Sequence, residues 1–196
     1  LTVAKDTKIE SGGILDARGT SSVFSFGNGY RSTVEAGALW VEDGGYFYLG
    51  SGDVTTSSYT AKGNNNILGR EGADFIINKR NNNGMFASHN NHGLNIDGDV
   101  LITTDDNGNF DARGNPVITC RNLIIDDTST GQDIGFYQTN ADNESTFTLH
   151  GNLLLTDVDF HTAEHNDSNT HIHMIIDGDI VIGAGGTLHL PRPDLT

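Results

Sequence analysis

The sequence predicts an all-β, single-domain parallel β-solenoid (a right-handed β-helix) over residues 1–196, with an antiparallel β-sandwich as the alternative. Three observations carry that expectation. A phrase of one apolar residue, two small or polar residues, Gly, a small residue and an apolar pair recurs at Ile9–Leu15, Val34–Trp40, Val41–Phe47 and Ile182–Leu188. A second phrase, Ile96-Asp97-Gly98-Asp99-Val100-Leu101-Ile102, returns as Ile176-Asp177-Gly178-Asp179-Ile180-Val181-Ile182. Weaker copies lie at Thr119–Ile125 and Leu149–Leu155, so its Asp/Asn position falls at Asp99, Asn122, Asn152 and Asp179, spaced by 23, 30 and 27 residues. Recurrence in the twenties on short apolar runs is how a chain reads when each copy is one coil stacked on the last. Finally, no stretch keeps a helical period beyond about two turns.

The elements follow in order. Leu1–Val3, Val23–Phe26, Ala38–Val41 and Tyr46–Leu49 are short apolar runs closed by Gly, Asn, Asp or Ser, which supply the open or left-handed backbone of turns. Phe75–Ile77, Leu94–Ile96, Val100–Ile102, Val117–Thr119 and Leu123–Ile125 continue the series. Ile134–Tyr137, Phe147–Leu149, Leu153–Leu155, Ile172–Ile176, Ile180–Ile182 and Leu188–Leu190 complete it. Asn64–Asn66, Asn81–Asn83 and His89–His92 read as turns or longer excursions. In a sandwich, Asp97-Gly98 and Asp177-Gly178 would be tight hairpin turns. The matching phrases, however, do not occur as mirror-paired neighbours, and Leu15-Asp16-Ala17-Arg18-Gly19 returns as Phe110-Asp111-Ala112-Arg113-Gly114. That is the behaviour of copies. At about 27 residues per coil the chain makes about seven irregular coils, a shaft on the order of 35 Å long. Ile102, Ile125, Leu155 and Ile182 are then expected to stack as an inward ladder, with the Gly residues of the phrase at corners.

Charge narrows the partners. The net charge is −15, and it is uneven: residues 1–98 hold eight Lys/Arg against ten Asp/Glu, residues 99–196 three against sixteen. Such a surface repels phosphate backbones, so nucleic acid is not expected as a partner. It suits solubility or cation binding, and Ca²⁺ at an acidic turn is the one cofactor expectation it raises. No run approaches the ~20 apolar residues of a membrane span. The chain opens at Leu1 rather than Met, as a processed or excised chain would.

No residue set reads as catalytic, and the expectation is that the chain is not an enzyme. Asp126-Asp127 precede His150 by about one coil, but the Arg-x-Lys partner of solenoid pectin-cleaving hydrolases is missing and Asp126–Gly131 reads equally as a turn. Thr104–Asp111 resembles a calcium loop superficially; its Gly is out of register, and Pro116 stands where a bidentate Glu is needed. All eight His lie at or beyond residue 89, densest at His161, His165, His171 and His173 with Asp159, Glu164 and Asp167 close by. His171 and His173, two apart on a strand, would share a side, but the spacing matches no zinc signature and leaves metal binding open. Cys120, the single cysteine, lies in an apolar run and is expected to pack as a small hydrophobe. Thr55-Thr56 and Thr103-Thr104 do not form the regular Thr ladder of an ice-binding face.

The phrases at 176–182 and 183–190 resemble repeats of large secreted surface proteins of Bacteroidota, and in style those of phage tail fibres. The resemblance implies a parallel β-helix exported as an adhesin or cell-surface fibre, though the C-terminal sorting domain of such chains is missing from this sequence. The expected function is thus an extracellular structural or adhesive solenoid that builds a surface fibre by head-to-tail self-association, residues 1–15 meeting residues 176–196 of the next copy. The alternative is a carbohydrate-binding or carbohydrate-cleaving solenoid, such as a tailspike segment, with a glycan held near Trp40, Tyr46 and Tyr48. Pro at Val3 or Leu188 would be expected to block assembly by removing a ladder donor.

Overall fold

A computed structural model of the chain describes residues 1–3, 7–27, 39–56, 59–61, 66–79, 92–104, 110–111, 116–127, 133–135, 144–161 and 171–190. The described elements are all strands, and every described pairing is parallel. The chain is a β-solenoid. It crosses its first face eight times, at Thr2–Val3, Phe24–Phe26, Val54–Thr56, Phe75–Lys79, Val100–Thr104, Leu123–Asp127, Leu153–Thr156 and Ile180–Ile182, and these strands lie side by side in sequence order. The second face has seven strands, from Ile14–Asp16 to His171–Ile176. Between them runs a third wall in two parts: Thr7–Ile9, Leu39–Val41 and Tyr59–Ala61 in the early coils, then Phe110–Asp111, Asp133–Gly135, Asp159–His161 and Thr187–His189.

Parallel stacking explains the sequence repeats. A residue and its copy one coil later occupy the same place, so a single requirement is imposed again and again on one column. The expected ladder is present: Ile77 pairs with Ile102, Ile102 with Ile125, Ile125 with Leu155 and Leu155 with Ile182. Beside it runs a second inward column through Phe24, Val54, Phe75, Val100, Leu123, Leu153 and Ile180. The second face contributes Phe47, Ile67, Leu94, Ile118 and Phe147 to the same core. In the early coils the interior is aromatic, with Phe47 edge-on to Phe24 and Phe26 at centroid distances of 5.7 and 5.9 Å. Cys120 is buried, as its run implies, and burial pushes its thiol up to about 12.

Two details of the repeat differ from the sequence reading. Asp97-Gly98 and Asp177-Gly178 are bends that carry the chain from the second face to the first; they are not hairpin turns. The four copies of the Gly phrase do not form one column either. The copies at 9–15 and 41–47 do stack, Ile9 on Val41 and Ile14 on Tyr46, with Gly12 N–H donating to the Gly44 carbonyl at 2.8 Å. The copy at 182–188 turns a different corner, from the first face to the third. Residues 34–38 of the remaining copy lie outside the described residues. Likewise Leu15–Asp16 is on the second face and Phe110–Asp111 on the third. Corners that ask for the same backbone attract the same residues, wherever in the coil they fall.

Candidate functional surfaces

The most ordered polar feature is the column that the second phrase announces. Each strand of the first face, from Val54 onward, is preceded by Asp or Asn, and each of these side chains but the last, Asp179, accepts a hydrogen bond from the backbone of its successor. Asp74 N–H donates to Asp53 Oδ1 (3.2 Å), Asp99 N–H to Asp74 Oδ1 (2.8 Å) and Asn122 N–H to Asp99 Oδ1 (3.2 Å). Asn152 N–H then donates to Asn122 Oδ1 and Asp179 N–H to Asn152 Oδ1, both at 2.7 Å. A corner residue has no strand partner for its N–H, and a buried or half-buried donor left unmade is costly. The column meets that need at five successive corners. Asp53 and Asp74 belong to it although their surroundings no longer spell the phrase; Gly52-Asp53-Val54 and Ala73-Asp74-Phe75 were the signal.

Arg121 stands where the other copies have Gly, and its Nε donates to Asp99 Oδ1 at 2.7 Å. Burial raises the Asp99 pKa, but the hydrogen bonds from Arg121 and Asn122 outweigh it and hold the carboxyl below its ordinary value. A depressed carboxyl stabilises the fold above its unfolded pKa and loses that contribution as pH falls through its folded pKa. Asn122 also donates Nδ2 to Asp99 Oδ1 at 2.8 Å, so Asn122→Asp replaces a donor by a second carboxylate. The expected cost at pH 7 is about 1–2 kcal/mol. The introduced carboxyl has a raised pKa, so the deficit shrinks as pH falls below about 5. Urea denaturation of both proteins at neutral and acid pH measures it.

Among the described residues, apolar side chains are exposed at both ends of the stack. In the last coil Ile180 and Ile182 continue the inward columns yet are 52% and 47% exposed. At the other end Leu1 and Val23 are exposed. Among the described residues no helix covers either end. The backbone alternates: Thr187 N–H donates to the Val158 carbonyl and Gly183 N–H to that of Leu155, which leaves Leu188, Ile180 and Ile182 facing the open edge. At the first strand, Ser25 and Gly27 donate to the carbonyls of Leu1 and Val3, so Thr2 faces outward there. Val3 is therefore on the paired side, contrary to the sequence reading; Leu188 is on the open side, as expected.

The remaining sequence candidates are dispersed. His161 ends a third-wall strand, whereas His171 and His173 lie in one strand of the second face. Glu164, His165 and Asp167 lie outside the described residues, as do Asp105–Asn109 of the calcium-like stretch. Among the described residues no group of three or more His, Cys, Asp or Glu could hold a metal ion. His150 Nδ1 sits 3.1 Å from Asp177 Oδ2, one coil on, and His189 Nε2 3.7 Å from Asp159 Oδ1. Asp126 is in register with Thr156 on the first face, while His150 is at the bend that follows the second-face strand Glu144–Leu149, its N–H on the Cys120 carbonyl, so the acid and the imidazole are not brought together. Tyr46 and Tyr48 stand side by side on the outside of the second face, ring planes 4° apart and centroids 5.8 Å. One face of Tyr48 is covered by the Arg18 guanidinium at 4.3 Å. Arg18 also hydrogen-bonds Asp16 and draws that carboxyl down to about 2. Phe47 points inward; Trp40 is on the outside of the third wall with Lys8 Nζ 5.9 Å from its ring. No described helix is long and apolar enough to cross a membrane. Comparison with protein-family models, with curated proteins and with solved structures gave no match.

Proposed function

We propose that the chain is an extracellular structural module, a solenoid shaft that extends a surface fibre by head-to-tail association with further copies of itself. The observation that carries this reading is the exposure of apolar side chains at both ends of the stack. Ile180 and Ile182 continue inward columns that are buried in the preceding coils, and a further coil stacked on them would cover both. The first strand supplies one of matching character, because Leu1 and Val3 belong to the same inward columns: Val3 pairs with Phe26, whose column leads through Thr56 and Ile77 to Ile182. Adding a parallel strand to an exposed edge satisfies its backbone groups and covers the apolar end together. The contact is heterologous and need not close, so it propagates. The net charge of −15 makes shafts repel one another in general, so association depends on the specific end contact.

Light scattering and negative-stain microscopy against concentration test the proposal. Assembly should rise steeply with concentration in the parent chain. Leu188→Pro and Thr2→Pro remove a donor from an open edge, so each should raise the concentration needed for assembly by about tenfold or more and shift the melting midpoint little. A parent chain that stays monomeric at millimolar concentration overturns the proposal.

A further inference from the structure

The outside of the first face differs from the rest of the exterior. On the second face the outward positions alternate in character along the axis, Tyr48, Leu68, Asn95, Thr119, Thr148 and Ile175 in one row and Val117 beside Thr146 in the other, so no run of apolar residues forms there. On the first face the outward position is Ser25 and Thr55 in the early coils, then Ile76, Leu101, Ile124, Leu154 and Val181 in five consecutive strands. Each of the five is the register partner of the next, so they form one straight row along the axis. The first four are half-buried and Val181 is 45% exposed. Strands that are apolar on both sides are what a parallel sheet carries when something covers its outer surface.

The borders of the row identify what that is. Two residues before it stands the polar column, with Asp74, Asp99 and Asp179; two residues after it stand Thr103, Asp126 and Thr156. Arg121 answers Asp99 at 2.7 Å and Asp74 at 3.8 Å, but one guanidinium stands against the four carboxylates of Asp74, Asp99, Asp126 and Asp179, so the borders are acidic on balance. A second copy laid face to face would set acid border against acid border, and an anionic lipid surface would be repelled in the same way. We infer that this row is a docking surface for a cationic amphipathic helix of another protein, its apolar ridge on the Ile76–Val181 row and its Lys or Arg side chains reaching the two borders. Four strand spacings make the row about 19 Å long, which a helix of about 13 residues matches. An apolar ridge with charge on both sides is the pattern such a helix presents.

The test uses the full chain and a synthetic Leu/Lys peptide of about 14 residues, patterned to be amphipathic as a helix, with a scrambled peptide of equal composition beside it. Fluorescence anisotropy should give the patterned peptide about tenfold the affinity of the scrambled one. In the double variant Ile124→Thr/Leu154→Thr, which keeps good strand formers, the two peptides should bind equally weakly. Should that variant not fold, as its circular dichroism melt will show, Leu101→Thr makes the same comparison. Equal affinities in the parent chain, or no loss in the variant, would mean attraction by charge alone and overturn the inference. Absence of binding by either peptide would overturn it too, as would a dimer of the chain by sedimentation that the variant abolishes.

Discussion

Leu155→Asp is expected to lower the stability of the chain by about 4 kcal/mol or more. Leu155 is 1% exposed, one coil before the end of the inward column, with Ile125 below it and Ile182 above. Two losses combine. The removed side chain leaves a gap in a packed column, and the carboxylate has no partner among aliphatic neighbours. Its only relief is protonation, so the deficit should shrink below about pH 5 as the raised carboxyl takes up its proton. Ile182→Asp, one coil further in the same column, is the control. It is half exposed, and in dilute solution its cost should stay near 1 kcal/mol. Chemical denaturation of the two variants separates a true end coil from an interior one. If the end is capped by another copy, Ile182→Asp should also abolish assembly, which Leu155→Asp can show only through unfolding.

The parallel solenoid was legible because its main constraints repeat on single columns. The Asp/Asn position at 99, 122, 152 and 179 needs a side-chain acceptor for the next corner's N–H, and Asp and Asn both provide one. Its first two rungs are less legible because Asp53 and Asp74 keep the acceptor but not the apolar residue that opens the phrase, and Asp74 follows Ala73 where the phrase has Gly. The unequal return distances, 21 residues from Val54 to Phe75 and 30 from Phe24 to Val54, blur any fixed period. They reflect excursions at corners, which do not disturb strand stacking. What sequence could not separate was inside from outside. In Leu123-Ile124-Ile125 all three residues are apolar, and only register shows that Ile124 points away from the core. The outer row was hidden for the same reason. Corner phrases misled in the opposite sense, since a Gly turn serves two different corners equally well.

Gly98→Ala is expected to cost about 2–3 kcal/mol, a core-sized loss from the addition of one methyl group. Gly98 does not have the positive φ that would make it a conformational requirement. The constraint is distance. A Cβ built there falls on the carbonyl oxygen of Ala73 one coil below, 2.6 Å from its carbonyl carbon and 3.1 Å from Asp74 Oδ1. The first two are backbone atoms, which cannot swing aside as a side chain end would. The third accepts the Asp99 N–H at 2.8 Å, so making room opens a rung of the polar column as well. Ala73 and Arg121 hold the same place in the neighbouring coils, which ties the cost to the local approach of two corners. Gly72→Ala provides the contrast. A Cβ there meets nothing within 4 Å, but φ is +83°, and the left-handed backbone alone should cost about 1 kcal/mol. Urea midpoints of the two variants decide between the causes: a loss at Gly98 no larger than at Gly72 would mean that the coils can part at this corner, and that close approach is not what selects glycine in the recurring phrase.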